Sequence, residues 1–177
     1  MIRVVVVDDQ RIVRDCLRVK LESDRDIRVV AEASTGEEAR RVVPQAKPDV
    51  VLMDLGMPGI GGIEATRRLV QVLPHIKVVA LSVYVDGPFP AKFLAAGGVG
   101  YVSKFGTSDE LVNAVKLVHQ GRPYLSRDVL QALIVDGGSA GGEELARLSD
   151  REVQVLKLIA EGCDPDDVAT QLKLSVK

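Results

Sequence analysis

Five polar side chains in this sequence stand where an apolar run stops. Asp8 and Asp9 follow the run Ile2 to Val7, Asp54 follows Val50 to Met53, Ser82 follows Val78 to Leu81, and Lys104 comes just after Val99 to Val102. Short runs of β-branched and apolar residues are the signature of buried strands. In a doubly wound sheet, ligands bind beyond the carboxyl ends of the strands, where the winding direction reverses. If the first and third strands are neighbours, three carboxylates meet at that edge, and they repel one another unless protons or a cation compensate. Mg²⁺ suits such a set, because it takes oxygen ligands, keeps several waters and leaves a position for a phosphoryl oxygen. A carboxylate there can also act as a nucleophile, with an aspartyl phosphate as the product. The transferred group needs its equatorial oxygens neutralised, a task shared by the metal, a hydroxyl donor such as Ser82 and a point charge such as Lys104. Each residue alone has a blander use: Asp8 or Asp9 as a helix cap, Asp54 as a loop residue before Pro58, Ser82 in a turn, Lys104 as a solvated strand end. The inference rests on all five together.

The elements that must position these groups can be read from periodicity. A further apolar run, Ile27 to Ala31, brings the strands to five. Between them lie helical patterns carried by Ile12, Val13, Cys16 and Leu17; by Ala39, Val42 and Val43; by Ile63, Ala65, Leu69 and Val72; and by Phe89, Phe93 and Leu94. A last one follows the fifth strand, with Leu111, Ala114, Val115 and Val118 on one face. Thr35 with Glu38, and Thr107 with Glu110, have capping-box spacing. Strands alternating with helices imply an α/β fold with a parallel sheet covered on both faces, because parallel strands need crossover connections.

The pattern changes after Gly121. Ser126 to Val135 has the makings of one short helix, and Gly137-Gly138-Ser139-Ala140-Gly141-Gly142 then breaks all periodicity, as a linker does. Beyond it, Ser149-Asp150-Arg151-Glu152 opens a helix through Ala160 that can end at Gly162, and Asp164-Pro165 opens another carrying Val168, Ala169 and Leu172. Two short helices joined by a tight turn form the front of a helix-turn-helix unit. Three segments are expected: 1–121, a linker over 122–147, and 148–177.

Composition bounds the function. The 177 residues carry 23 basic and 25 acidic side chains, a formal charge of −2, which argues against the whole molecule being held to nucleic acid by bulk charge. No apolar stretch approaches the ~18 residues of a spanning helix, and Met1-Ile2-Arg3-Val4 runs straight into a strand, so a cytoplasmic protein with no membrane partner is expected. Cys16 and Cys163 match no metal or redox spacing and read as free thiols. His75 and His119 read as surface or helix-terminal residues outside the acidic site.

The motifs VVVVDD with Asp8 and Asp9, VVLMDLGMPGIGG with Asp54, ALS with Ser82 and GYVSK with Tyr101 and Lys104 resemble, in order and spacing, the receiver domain of two-component response regulators over residues 1–121. LSDREVQVLKLIAEGCDPDDVATQLKLSVK is similar to the first half of a LuxR-type DNA-binding domain, as in the NarL/FixJ class, and MPGIGGIEATR and PAKFLAAGGVGYVSK look most like its GacA/UvrY branch. The resemblance implies a five-stranded sheet of order 2-1-3-4-5. It makes Asp54 the phosphoacceptor, Asp8, Asp9, Asp54 and the Gly56 carbonyl the Mg²⁺ ligands, Ser82 and Lys104 the phosphoryl-binding groups, and Tyr101 the aromatic whose rotamer follows Ser82. It implies self-phosphorylation and slow self-dephosphorylation only, a sensor histidine kinase of the hybrid GacS/BarA type as donor, a possible homodimer, and promoter DNA as the target of the full-length form. Two positions depart from the family. Gln10 stands where an acidic or histidine residue is usual, and Phe105 where many members carry a cis proline; a non-proline cis bond costs about 2.5–4 kcal/mol.

The family's recognition helix should begin near Ser175, so the resemblance implies a C-terminally truncated chain. From Glu143 onward eight acidic residues face five basic ones, a net of −3 unsuited to phosphate contacts. Three classes compete on these grounds: a phosphorylation-controlled transcription regulator, a receiver acting only through protein contacts, and a phosphohydrolase. The last wants a second acid two residues after the nucleophile, where Gly56 stands.

Overall fold

The structure is a computed structural model, and it describes residues 1–136. The expected Gly-rich linker and helix-turn-helix segment lie outside the described residues. Strands β1 (Ile2–Val7), β2 (Ile27–Ala33), β3 (Val50–Asp54), β4 (Lys77–Ser82) and β5 (Gly100–Ser103) alternate with helices α1 (Arg11–Glu22), α2 (Gly36–Ala46), α3 (Gly61–Val72), α4 (Pro88–Ala95) and α5 (Ser108–His119). The strand order is 2-1-3-4-5, as expected, but a sixth strand, β6 (Tyr124–Leu125), pairs in parallel with β5, and α6 (Arg127–Asp136) follows it. The five-stranded expectation is corrected here. A two-residue strand has no periodicity of its own and forms only because the β5 edge offers it hydrogen bonds: the Tyr124 amide donates to the Val99 carbonyl and the Ser126 amide to that of Tyr101.

Both faces of the sheet are covered, so β1 and β3 are apolar on both sides. Val4 and Val6 pack with Leu21, Leu111 and Val115 toward α1 and α5, whereas Val5 and Val7 pack with Val43, Ile63 and Leu69 toward α2 and α3. In β2 the alternation breaks. The β1–β2 register shifts between Val4 and Val5, with Val4 opposite Val29 but Val5 opposite Ala31. An extra residue reverses which side chains face which side. Ile27 and Val29 therefore lie on the α1/α5 face, Ala31 and Ala33 on the other, and Glu32 points toward α1.

Helices α2 and α5 are capped by side-chain bonds. The Thr35 and Thr107 hydroxyls accept the amides of Glu38 and Glu110, but the reciprocal half of each capping box is absent. Glu38 takes the amide and hydroxyl of Ser34 instead, and Glu110 accepts the hydroxyl of Tyr124, tying β6 to α5. At the C-terminus of α2, Arg3 donates to the carbonyls of Ala46 and Lys47.

Residues 122–136 close the β5 edge. Val129 of α6 is fully buried in the same cluster as Phe93 and Tyr101. Asp128 Oδ1 accepts the Ser126 hydroxyl at 2.6 Å and the Val129 amide at 2.9 Å. Burial works against ionisation, but these bonds and one from Ser103 outweigh it and hold the Asp128 carboxyl below 3.8. Its stabilising contribution is complete above about pH 3.8 and is lost as pH falls through the depressed folded value. Asp128→Ala is expected to lower stability at pH 7 by about 0.5–1 kcal/mol, a cap-sized loss on an exposed carboxylate, with the difference shrinking below pH 3.8; urea unfolding at pH 7 and pH 3 measures it.

Candidate functional site

Parallel pairing of β1 with β3 sets Val7 opposite Met53, so the residues that follow, Asp8 and Asp54, emerge side by side at the carboxyl edge. β4 pairs with β3 and β5 with β4, which brings Ser82 and Lys104 to the same edge. Beyond the end of β5 the ladder continues for one bond, Lys104 amide to Ser82 carbonyl at 2.8 Å. The side chain of Lys104 then reaches across: its Nζ lies 2.8 Å from Asp8 Oδ2 and 3.0 Å from Asp54 Oδ2. One carboxylate oxygen from each of Asp8, Asp9 and Asp54 lies within 4.8 Å of the others. Asp8 and Asp54 are buried and Asp9 is exposed. All the predicted side chains of the acidic set therefore come together.

The remaining oxygens of the buried pair are bound by backbone. Asp8 Oδ1 accepts the Gln10 amide at 2.9 Å, and Asp54 Oδ1 accepts the Gly56 amide at 3.1 Å. Asp8 thus also serves the entry to α1, and its structural and chemical uses coexist. Burial, above all, raises the Asp54 carboxyl above 3.8, with a smaller push from Asp8; Lys104 opposes both but is shared between two carboxylates. Asp9, although exposed as a residue, is likewise raised, first by partial desolvation of its carboxyl beside the cluster and then by Asp8. Burial alone would lower Lys104, yet its pairing with Asp54 and Asp8 keeps it above its usual value, fully charged. An all-oxygen set of three carboxylates on a hydrated edge fits a hard divalent cation such as Mg²⁺.

Ser82 and Tyr101 belong to an adjoining network. The Ser82 Oγ accepts the Tyr84 amide at 3.0 Å, and the Tyr101 hydroxyl donates to the Tyr84 carbonyl. Tyr101 is fully buried, edge-on to Phe93 with ring centroids 5.7 Å apart, and burial pushes its phenol up. Tyr84 was not singled out from sequence. Its ring stacks on Phe89 at 4.6 Å and stands over the site: a Cβ at Gly56 would lie 3.7 Å from the ring and 3.8 Å from Asp54 Oδ1. The available signal is an aromatic residue two positions past a strand-ending serine. The Lys104–Phe105 peptide is trans, with Phe105 exposed. The His119 carbonyl accepts the Lys77 ammonium at the opposite end of the sheet, where β4 begins, and His119 takes no part in the site.

The profile of the response regulator receiver domain matches residues 4–116. The chain belongs to the response regulators. Response regulator UvrY of Escherichia coli K12 is 40% identical over 179 residues, covering 100% of this chain and 82% of that one. Response regulator GacA of Pseudomonas viridiflava is 41% identical over 180 residues, covering 100% and 84%. A crystal structure of a LuxR-family two-component response regulator from Aurantimonas sp. SI85-9A1 matches with a TM-score of 0.76 at 36% identity, over 78% of this chain and 99% of that one. The receiver fold and the kinship with UvrY and GacA expected from the motifs are therefore established. Among the described residues no helix is long and apolar enough to cross a membrane.

In this receiver, ionised Asp54 opposes folding, because its folded pKa lies above its unfolded one. Asp54→Asn is expected to raise the thermal midpoint at pH 7 without divalent cations by about 3–5 °C. Protonation favours the folded wild type, so the advantage of the variant shrinks as pH falls toward 3.8. Thermal unfolding of both proteins between pH 7 and 4 checks this.

Proposed function

We propose that this response regulator accepts a phosphoryl group on Asp54 from a sensor histidine kinase of the hybrid GacS/BarA type, in a Mg²⁺-dependent reaction, and uses the resulting change of shape to control a DNA-binding output. The observation that carries the reading is the cluster itself: three carboxylates of two adjacent strands with the Lys104 ammonium bridging two of them. Asp8, Asp9, Asp54 and the Gly56 carbonyl would hold Mg²⁺, which supplies charge neutralisation at the phosphoryl oxygens when bound.

A carboxylate oxygen of Asp54 attacks phosphorus while the donor's P–N bond breaks. The carboxylate is kept poised by the Gly56 amide on Oδ1. Lys104 transfers part of its pairing from Asp8 and Asp54 to the incoming phosphoryl oxygens, a fixed point charge already at the site. Ser82 turns its hydroxyl proton from Tyr101 toward the phosphoryl group while its oxygen keeps accepting the Tyr84 amide, since a hydroxyl does both. Tyr101, held to the same loop through the Tyr84 carbonyl, follows that loop. Phosphorylation then shifts a population between two arrangements of the β4–α4 loop, because the phosphoryl group contacts one better. The chemistry is switching.

For the output, support comes from the relatives, whose likeness to this chain runs through residues 137–177. The full-length form is proposed to act on promoter DNA in the cytoplasm, with homodimerisation as the means of matching paired half-sites.

Two variants test the site. Asp54→Asn is expected to abolish incorporation of ³²P from acetyl phosphate with Mg²⁺; undiminished labelling removes Asp54 from the mechanism. Lys104→Ala is expected to retain Mg²⁺ binding while losing the change in tryptic protection that acetyl phosphate induces in the wild type; an intact response contradicts the role given to the lysine.

A further inference from the structure

Arg14 is a nearly buried cation on the first helix that neither touches Asp9 nor Asp54 nor belongs to the motifs above. Its Nη1 donates to the carbonyl of Asp8 at 2.7 Å, and its Nε donates to Glu32 Oε2 at 3.2 Å. Both partners of the ion pair are largely enclosed, with 14% and 17% side-chain exposure. Arg18, one turn further along α1, takes the other oxygen of Glu32 at 2.8 Å through Nε but is half exposed. The Asp8 amide is already engaged, donating to the Ala33 carbonyl at 3.1 Å. With the carbonyl held as well, Asp8 is anchored through the peptides on both of its sides, and the Arg14 bond fixes the plane of the peptide that leads into Asp9 and so the direction in which the Asp9 side chain leaves the backbone.

Glu32 reaches Arg14 only because of the β1–β2 register shift. Without the extra residue in β2, Glu32 would face α2 and the opposite layer. A bulge and a buried ion pair next to an acidic loop have one shared consequence, a guanidinium fork locked across two elements.

We propose that Arg14, oriented by Glu32, is a positioning residue for the divalent-cation site: it fixes the Asp8–Asp9 peptide so that the exposed Asp9 carboxylate stands ready beside Asp8 and Asp54. The inference rests on the Mg²⁺ reading of that cluster. Two opposing effects make it testable. Arg14 is itself a cation near a dication site, so through-space electrostatics alone predicts that neutralising it tightens Mg²⁺ binding. Positioning predicts the reverse.

Calorimetric titration of the 177-residue protein with MgCl₂ separates the two. Arg14→Gln is expected to weaken Mg²⁺ binding about tenfold, and Arg18→Gln, which loses a Glu32 contact but none to Asp8, to stay within about twofold of wild type. Arg14→Lys keeps the charge but cannot span both acceptors, and is expected to weaken binding as well. Circular dichroism and thermal unfolding without Mg²⁺ establish that each variant is folded; should Arg14→Gln not fold, Arg14→Lys and Glu32→Gln decide, both with weakened binding expected. Unchanged or tighter Mg²⁺ binding by folded Arg14 variants, beside a wild type that binds normally, overturns the positioning role alone. A wild type that takes up no Mg²⁺ overturns the cation site and this inference together.

Discussion

Three carboxylates held within 4.8 Å of one another at the edge of an apolar sheet are the constraint around which the rest is arranged. At an effective dielectric constant near 20, two like charges 4 Å apart cost about 4 kcal/mol, so the group cannot stand ionised without a counter-charge. Lys104 supplies it for the two buried members, at 2.8 and 3.0 Å. The ammonium reaches them only because parallel pairing continues from β1 through β3 and β4 to β5, which brings four chain-distant strand ends to one edge. Each carboxylate oxygen not turned toward the lysine or toward solvent is occupied by a backbone amide. The result is a carboxylate–ammonium cluster whose cost is carried by the packed layers on both sides.

Coupling to the rest of the molecule runs through hydrogen bonds that share one loop. Ser82 takes the amide of Tyr84, and Tyr101 gives its hydroxyl to the same residue's carbonyl. Beneath them, Tyr101 meets Phe93 of α4 and Val129 of α6 in one apolar cluster. Any displacement of Ser82 is thus felt by an aromatic ring that also seats α6, the last described element. Interdigitated cores have discrete packings and transmit such displacements as steps.

Much of this was legible in the sequence. The five long strands announce themselves as apolar runs, and the convergence of Asp8, Asp9, Asp54, Ser82 and Lys104 follows once alternation implies a parallel sheet. Other features were hidden for identifiable reasons. β6 is too short to have a pattern and depends on a partner edge. Glu32 looks like an ordinary polar residue of a strand, because a one-residue shift in register leaves no mark on composition yet decides which helix it meets. Arg14 resembles any arginine on an amphipathic helix, and its value lies in a backbone carbonyl that no periodicity reveals. The capping boxes were half legible: the hydroxyls cap as expected, while Glu38 and Glu110 are drawn to Ser34 and Tyr124.

The central claim is that the Asp54 carboxylate, and no other group, becomes covalently bound to phosphorus. Reduction with borohydride after incubation with acetyl phosphate and Mg²⁺ converts an aspartyl phosphate to homoserine, which peptide mass spectrometry locates to a single residue. The account predicts homoserine at position 54 and at none of Asp8, Asp9 or the remaining acids. Homoserine elsewhere, or none at position 54 under conditions where the protein binds Mg²⁺, would contradict it.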